Sequence, residues 1–237
     1  MSEHIVSSFD SELQNLRGRI CEMGGLAEQM LADAIAALTR RDSVLAQSVI
    51  VADSRLDALH RDTEEQAILM IARRQPFAVD LRKTISPIRI SGDVERIGDL
   101  SKNIAKRTLA IAAQVQPPRI AVGVQHMADL ALGQLRDVLD AYVRQDDGKA
   151  LDVWQRDGHI DALYTSLFRE LLTYMMEDPR NISFCTHLLF CAKNLERIGD
   201  HTTNIAETVH YLITGQSLTA ERPKSDETVP AAAPETI

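Results

Sequence analysis

The sequence predicts an all-α protein built as two tandem three-helix bundles of six long antiparallel helices, and three observations predict it. Hydrophobic residues make up 45% of the 237-residue chain while aromatics make up only 4%, so the core must be assembled from Leu, Ile, Val, Ala and Met. Apolar residues recur in steps of three and four over long runs, the signature of amphipathic helices. An internal repeat of about a hundred residues then divides the helices into two equivalent sets.

Each element follows from a periodic run and the breaker that ends it. A first helix over 8–40 carries the seam Leu13, Leu16, Ile20, Met23, Ala27, Met30 and Ala34 and ends at Arg41-Asp42-Ser43. The second, over 44–74, stops at Gln75-Pro76, because the residue before a proline is driven out of the helical region. The third, over 78–113, ends before Gln116-Pro117-Pro118, which is read as the linker between the repeats. The fourth covers 120–145 and stops at Asp146-Asp147-Gly148, and the fifth covers 149–176 and stops at Asp178-Pro179. The sixth, over 180–213, repeats its seam through Leu188, Cys191, Leu195, Ile198, Thr202, Ile205, Val209 and Leu212 for more than three heptads. Short turns force sequential helices to pack antiparallel. The domains are therefore 1–116 and 117–214, followed by a tail over 215–237 too poor in large apolar residues to fold.

Charge and composition exclude several functions. The net charge is −8, and the chain has no concentrated basic run of the kind that neutralises phosphates, so nucleic acid is not a partner. Arg40-Arg41 and Arg73-Arg74 sit beside turns and read as helix-end charges. The three cysteines are an odd number without metal spacing, and Cys185 and Cys191 lie in an apolar helical stretch as buried free thiols. The opening MSEHIVSSFDSELQ lacks a signal pattern, and no stretch approaches ~18 uncharged apolar residues. A cytoplasmic, soluble protein is expected.

The chemistry lies in the repeat. ERIGDLSKNIA at 95–105 matches ERIGDHTTNIA at 196–206 at eight of eleven positions, and DSRLDAL at 53–59 matches DGHIDAL at 157–163. At about 100° per residue, Glu95, Asp99 and Asn103 fall within about 80° and form one polar stripe, with Ile97 and Ile104 on the opposite side. Glu196, Asp200 and Asn204 do the same in the second copy. Interior glycine costs about 1 kcal/mol relative to alanine, so Gly98 and Gly199 are read as permitting close helix approach. Asp57 and Glu95, like Asp53 and Asp99, are symmetric in number about Pro76. Asp161 and Glu196, like Asp157 and Asp200, are symmetric about the Asp178–Pro179 junction. Both centres are the turns already placed, so each unit is expected to set four carboxylates level on adjacent helices.

Clustered carboxylates repel unless protonated or neutralised by a cation. Oxygen ligands favour the hard cations magnesium, manganese, calcium or iron, whereas zinc more often recruits His or Cys. A single E-x-x-x-D on a helix is usually a solvated face; duplication and register with the second acidic pair argue for metal. Arg96 and Arg197 offer the alternative of a purely structural ion network, and the second-helix aspartates that of ordinary hairpin charges.

The doubled E-R-I-G-D-x-x-x-N-I-A on six helices resembles the PhoU family of phosphate-transport regulators over residues 8–213. That resemblance implies metal at the acidic stripes, with Glu95, Asp99, Glu196 and Asp200 as leading ligands, Asn103 and Asn204 beside them, and magnesium, manganese, iron or zinc as the ion. It implies a cytoplasmic homodimer that represses the phosphate-starvation response. The partners it implies are the ATPase of a phosphate ABC transporter and a sensor histidine kinase, with the membrane met only through them. Two departures stand out: Pro87 falls inside the third helix, and Gly92 takes the place of Lys193, so a kinked or looser first site is expected. A non-enzymatic adaptor is the leading reading. The alternatives are a carboxylate-metal phosphate-ester hydrolase and a metal-dependent oligomerisation module. Neither motif copy has the Glu-x-x-His pair of di-iron bundles, and no glycine-rich phosphate cradle or nucleophile elbow supports catalysis.

Overall fold

The structure is a computed structural model that describes residues 2–114 and 120–219, with side chains described for 8–114 and 122–219. Its helices are α1 (Ser2–Arg40), α2 (Ser43–Arg74), α3 (Val79–Ile111), α4 (Ile120–Arg144), α5 (Asp147–Gln155), α6 (Asp157–Glu177) and α7 (Ile182–Thr214), with a single 3₁₀ turn at Pro179–Asn181 before α7. The expected helices are therefore present, and the ends of α2, α3 and α4 fall within two residues of those read from the breakers.

Local chemistry explains the ends. Asp42 caps α2 by accepting hydrogen bonds from the backbone N–H groups of Val44 (3.0 Å) and Leu45 (2.9 Å). Asp146 does the same for α5 through Lys149 N–H (3.0 Å). Gly215 ends α7 in the left-handed conformation (φ 76°), and its N–H donates to Tyr211 O. Arg40, Arg73 and Arg74 occupy last turns, as their sequence positions implied. Arg74 also clamps Glu12 of α1 at 2.9 Å.

The fifth expected helix is broken in two. Arg156 sits at φ −85° and ψ 0°, and its N–H is shared between Asp152 O and Val153 O. Its carbonyl receives Gln134 Nε2 of α4 at 3.2 Å, while its guanidinium pairs with Asp137 and Asp152. That carbonyl also accepts the His159 N–H at 3.1 Å, so the contact from α4 adds a tertiary anchor at the break, and periodicity alone does not see such an anchor. Pro87, by contrast, lies buried within α3, whose helical assignment runs through it unbroken. At Gly92 an added Cβ would find only His60, at 4.0 Å.

The two motif helices, α3 and α7, pack side by side at the centre, α3 also against α1 and α2, and α7 also against α4, α5 and α6. They run antiparallel. Gln114 meets Ser183 near one end (3.2 Å), Arg107 lies over the Phe190 ring (4.3 Å), and Asp93 meets His201 (2.8 Å). Arg89 lies over the Tyr211 ring (5.5 Å) toward the other end. This places the two repeats head to tail about their shared motif. Buried Leu, Ile, Val, Ala and Met residues of both repeats form one connected core, so the units share an interior rather than each closing its own. Leu218, beyond α7, also packs on that core. The expected linker at Pro117-Pro118 and the tail from 220 onward lie outside the described residues.

Gly98 and Gly199 do permit close approach, each within its own repeat. A Cβ on Gly98 would meet Leu56 Cδ2 of α2 at 2.2 Å, and one on Gly199 would meet Ile160 Cδ1 of α6 at 3.0 Å. These contacts bring the acidic faces of the hairpin helices together. Cys185 and Cys191 are buried free thiols, and Cys21 is exposed.

Candidate metal centre

The first stripe lies across α2 and α3. Asp53 is buried, Asp57, Glu95 and Asp99 are half-buried, and Asn103 is exposed. The residue that joins the two helices is Lys102. Its Nζ donates to Asp53 Oδ2 and Asp99 Oδ1, both at 2.5 Å. Burial alone would lower the Lys102 ammonium, but the hydrogen bonds and charges of Asp53 and Asp99 outweigh it and hold it above its usual value. Glu95 is pushed up, first by burial, then by the charges of Asp99 and Asp57, with Arg96 and His60 opposing. Arg96 reaches Glu95 (3.5 Å) and Asp99 (3.4 Å) but is well exposed, so it screens the stripe weakly. His60 Nδ1 pairs with Ser91 Oγ at 3.0 Å, a further cross-link between α2 and α3.

The second stripe, across α6 and α7, is the more deeply buried. Asp157, Asp161 and Glu196 are 2%, 4% and 6% exposed, and Asp200 is half-buried. Thr203, which replaces Lys102 in the repeat, donates its hydroxyl to Asp157 Oδ1 at 2.9 Å. Glu196 is pushed up first by burial; Lys193 opposes that, while Asp200 and Asp161 add to it. Lys193 Nζ reaches Glu196 Oε1 at 2.9 Å and also lies over the Tyr164 ring at 5.0 Å. Asn204 donates to Asp93 Oδ1 of α3 at 3.2 Å, which ties it to the seam between the repeats.

The stripes differ in how well they suit a cation. Among the described residues, no three His, Cys, Asp or Glu side chains converge into a ready-made metal cage. In the first stripe an ammonium of the chain itself already bridges Asp53 and Asp99, so the arrangement does not fit a metal ion as it stands. In the second, Glu196 Oε2 is buried and accepts no hydrogen bond from any described residue. A buried carboxylate oxygen in that position is costly, and a hard cation is the partner its chemistry suits. Glu196, Asp200, Asp157 and Asp161 are the residues that would hold such an ion, which would supply positive charge between α6 and α7.

Sequence reasoning missed Lys102 and Thr203 because they occupy the variable positions of the motif. One signal was legible: Lys102 follows Asp99 by three residues, a spacing that makes helical neighbours. Asp93 and His201 were also missed, since their pairing depends on how the repeats pack against each other.

Comparison with known proteins agrees with this architecture. The PhoU domain family matches residues 20–108 and again 124–209. A relative from Rhizobium meliloti, described as a phosphate-specific transport system accessory protein PhoU homolog, is 59% identical over 225 residues, covering 95% of both chains. One of the same description from Caulobacter vibrioides is 51% identical over 226 residues, covering 95% of this chain and 98% of its own. Among solved structures, PhoU from Pseudomonas aeruginosa superposes with a TM-score of 0.85 at 41% identity, covering 88% of this chain and all of its own. The phosphate transport system regulatory protein PhoU from Streptococcus pneumoniae reaches 0.82 at 30% identity, covering 90% of this chain and all of its own. With its motif duplicated on antiparallel central helices and both repeats matched, the chain belongs to the PhoU family.

Proposed function

We propose that this chain is a metal-binding accessory protein of a phosphate-specific transport system that represses the phosphate-starvation response. It works as an adaptor between the ATPase of a phosphate ABC transporter and a sensor histidine kinase, as a cytoplasmic homodimer that meets the membrane through these partners. The names of the relatives support the transport connection. Among the described residues, no helix is long and apolar enough to cross a membrane, in keeping with that indirect contact.

The observation that supports the metal part is the second stripe, where the charges of Asp200 and Asp161 act on Glu196 and Glu196 Oε2 is buried without a hydrogen-bond partner among the described residues. Bringing such charges together disfavours ionisation unless a cation answers them. The bound ion is a divalent or trivalent hard cation, with magnesium, manganese and iron ahead of zinc.

The test is complementation of a bacterial strain lacking its own PhoU and carrying a phosphate-starvation reporter. The wild-type chain should silence the reporter in phosphate-rich medium, and the Glu196→Gln, Asp200→Asn double variant, expressed at equal level, should silence it less. A reporter that stays fully on with the wild-type chain overturns the regulatory reading. Equal silencing by both overturns the role of the stripe.

A further inference from the structure

We infer that the open groove beside Gly92 receives a lysine side chain of a partner protein, whose ammonium settles at Glu95 and Glu64 as the chain's own Lys193 settles at Glu196. The inference rests on the adaptor reading given above and deepens it, because it names the surface and the chemistry that a partner must bring.

The second repeat supplies the template. Lys193 stands one turn before Glu196 on α7, and its Nζ reaches Glu196 Oε1 at 2.9 Å. It lies over the Tyr164 ring of α6 at 5.0 Å, and Tyr164 packs on Phe168 with ring centroids 6.3 Å apart. In the register that aligns the repeats, Lys193, Glu196, Tyr164 and Phe168 correspond to Gly92, Glu95, His60 and Glu64. Only the glutamate is kept, and all three changes act in one direction. The lysine is lost, so no side chain stands one turn before Glu95 to meet it. An added Cβ at Gly92 would find only His60, at 4.0 Å. The two aromatic residues become an imidazole and a second carboxylate, with His60 Nε2 and Glu64 Oε2 3.7 Å apart. The first copy has exchanged a cation and its aromatic wall for an open slot with an added acid.

The slot belongs to an open groove of about 500 Å³ walled by α2, α3 and α7. Its carboxylates, Glu64, Asp93, Glu95 and Glu207, outnumber the guanidiniums of Arg89 and Arg96. Asp93 is engaged by His201 and Asn204, Glu207 by the Trp154 indole, and Arg89 lies on the Tyr211 ring. Arg96 is well exposed and divided between Glu95 and Asp99. Glu64 and Glu95 are therefore the acids that face an incoming charge, and their side chains are 43% and 19% exposed, within reach from solvent. These acids repel an anion. Among the described residues no three ligating side chains converge on a point, so the groove does not suit a bare metal ion. A lysine suits it: the stem can lie along Ile88 and the bare backbone at Gly92 while the ammonium reaches the two acids. The groove is open rather than enclosed, which fits a side chain carried on a partner's surface, and its acids would steer a basic patch toward it.

The experiment captures the tagged full chain from phosphate-rich cells and treats the isolated complexes with a water-soluble carbodiimide, which joins a carboxylate directly to a lysine amine. Joined peptides are mapped by mass spectrometry. Wild type, Gly92→Lys, Glu64→Gln and Gly18→Lys are compared at equal recovery of bait, each checked for folding by circular dichroism. Gly92→Lys supplies the slot with its own lysine, and Glu64→Gln removes one charge while keeping the shape. Gly18→Lys adds the same charge on α1, where nothing lies within 4 Å of an added Cβ. On wild type, Glu64 or Glu95 should be joined to a lysine of the transporter ATPase or the sensor kinase. Capture of that component should fall about fivefold in Gly92→Lys, equivalent to about 1 kcal/mol, should fall also in Glu64→Gln, and should hold in Gly18→Lys. Capture by wild type without such a join, undiminished capture by Gly92→Lys or Glu64→Gln, or an equal fall in Gly18→Lys overturns the inference and leaves the adaptor reading standing. A join from Glu64 or Glu95 to a second copy of this chain assigns the groove to contact between copies and overturns it as well. Capture of neither component by wild type overturns both.

Discussion

Replacing Gly98 by alanine tests the contact that brings the first acidic pair into register. The new Cβ would lie 2.2 Å from Leu56 Cδ2 and 3.6 Å from Met30 Cε, whereas carbon atoms rest about 3.5–4.0 Å apart. Leu56 is fully buried and Met30 nearly so, so the leucine methyl has no open side to retreat into and α2 itself must yield by about an ångström. An approach of 2.2 Å puts the overpacking cost in the upper part of its usual range, about 2–3 kcal/mol, against which alanine returns about 1 kcal/mol of helix propensity. The expected net loss is about 1–2 kcal/mol, or a fall in Tm of about 2–8 °C for a chain of this size. Gly199→Ala meets Ile160 Cδ1 at 3.0 Å, needs a shift of a few tenths of an ångström, and should come out near neutral. Gly18, exposed in α1 with nothing within 4 Å of an added Cβ, supplies the control, and Gly18→Ala should gain up to about 1 kcal/mol. Urea titrations followed by far-ultraviolet circular dichroism give all three values on one scale. If Gly98→Ala is as stable as wild type while Gly18→Ala gains, close helix approach is not what this glycine serves.

Two further outcomes follow from the geometry. Burial pushes the Asp137 carboxyl up, but Arg156 and Lys149 outweigh it and hold the group below its usual value, so its stabilising contribution is present above pH 3.8 and is lost as the pH falls through its lowered folded value. Discounted for an exposure near a third, Asp137→Asn should cost about 1 kcal/mol at neutral pH, and the gap to wild type should close in acid; a gap independent of pH refutes the assignment. Cys21 is exposed although its thiol too is raised by its surroundings, whereas Cys185 and Cys191 are buried, the latter pushed up to about 12, so iodoacetamide followed by mass mapping should label Cys21 in the native protein and the other two only in denaturant. Native labelling of Cys191 at a rate matching Cys21 would contradict the core packing around α7.

How far the sequence reaches can be judged from particular residues. The helix ends were legible because their signals are local: Asp42 and Asp146 are capping side chains, and Gln75-Pro76 and Asp178-Pro179 stop helices through backbone geometry. The level of the acids was legible because an antiparallel hairpin fixes it once the turn is known; Lys102 spanning Asp53 and Asp99, and Asp161 acting on Glu196, agree with it. The break at Arg156 was not legible, since the contacts made there come from Gln134 and Asp137 on another helix. The fate of the asparagines was not legible either. A helical wheel gives direction but no neighbours, and it cannot say that Asn103 stays exposed while Asn204 bonds Asp93 across the repeats. The inequality of the stripes hid in the positions where the repeat differs, where pattern matching looks least.

The most direct test of the regulatory reading is recovery of partners from living cells. The tagged full chain would be captured from phosphate-rich cultures after mild cross-linking, and the co-purified transporter ATPase and sensor kinase quantified by mass spectrometry. Wild type should enrich both over an unrelated tagged helical protein, and the Glu196→Gln, Asp200→Asn variant should enrich them less at equal recovery of bait. Capture of neither component above the control, with folded wild-type bait in hand, would contradict the adaptor reading.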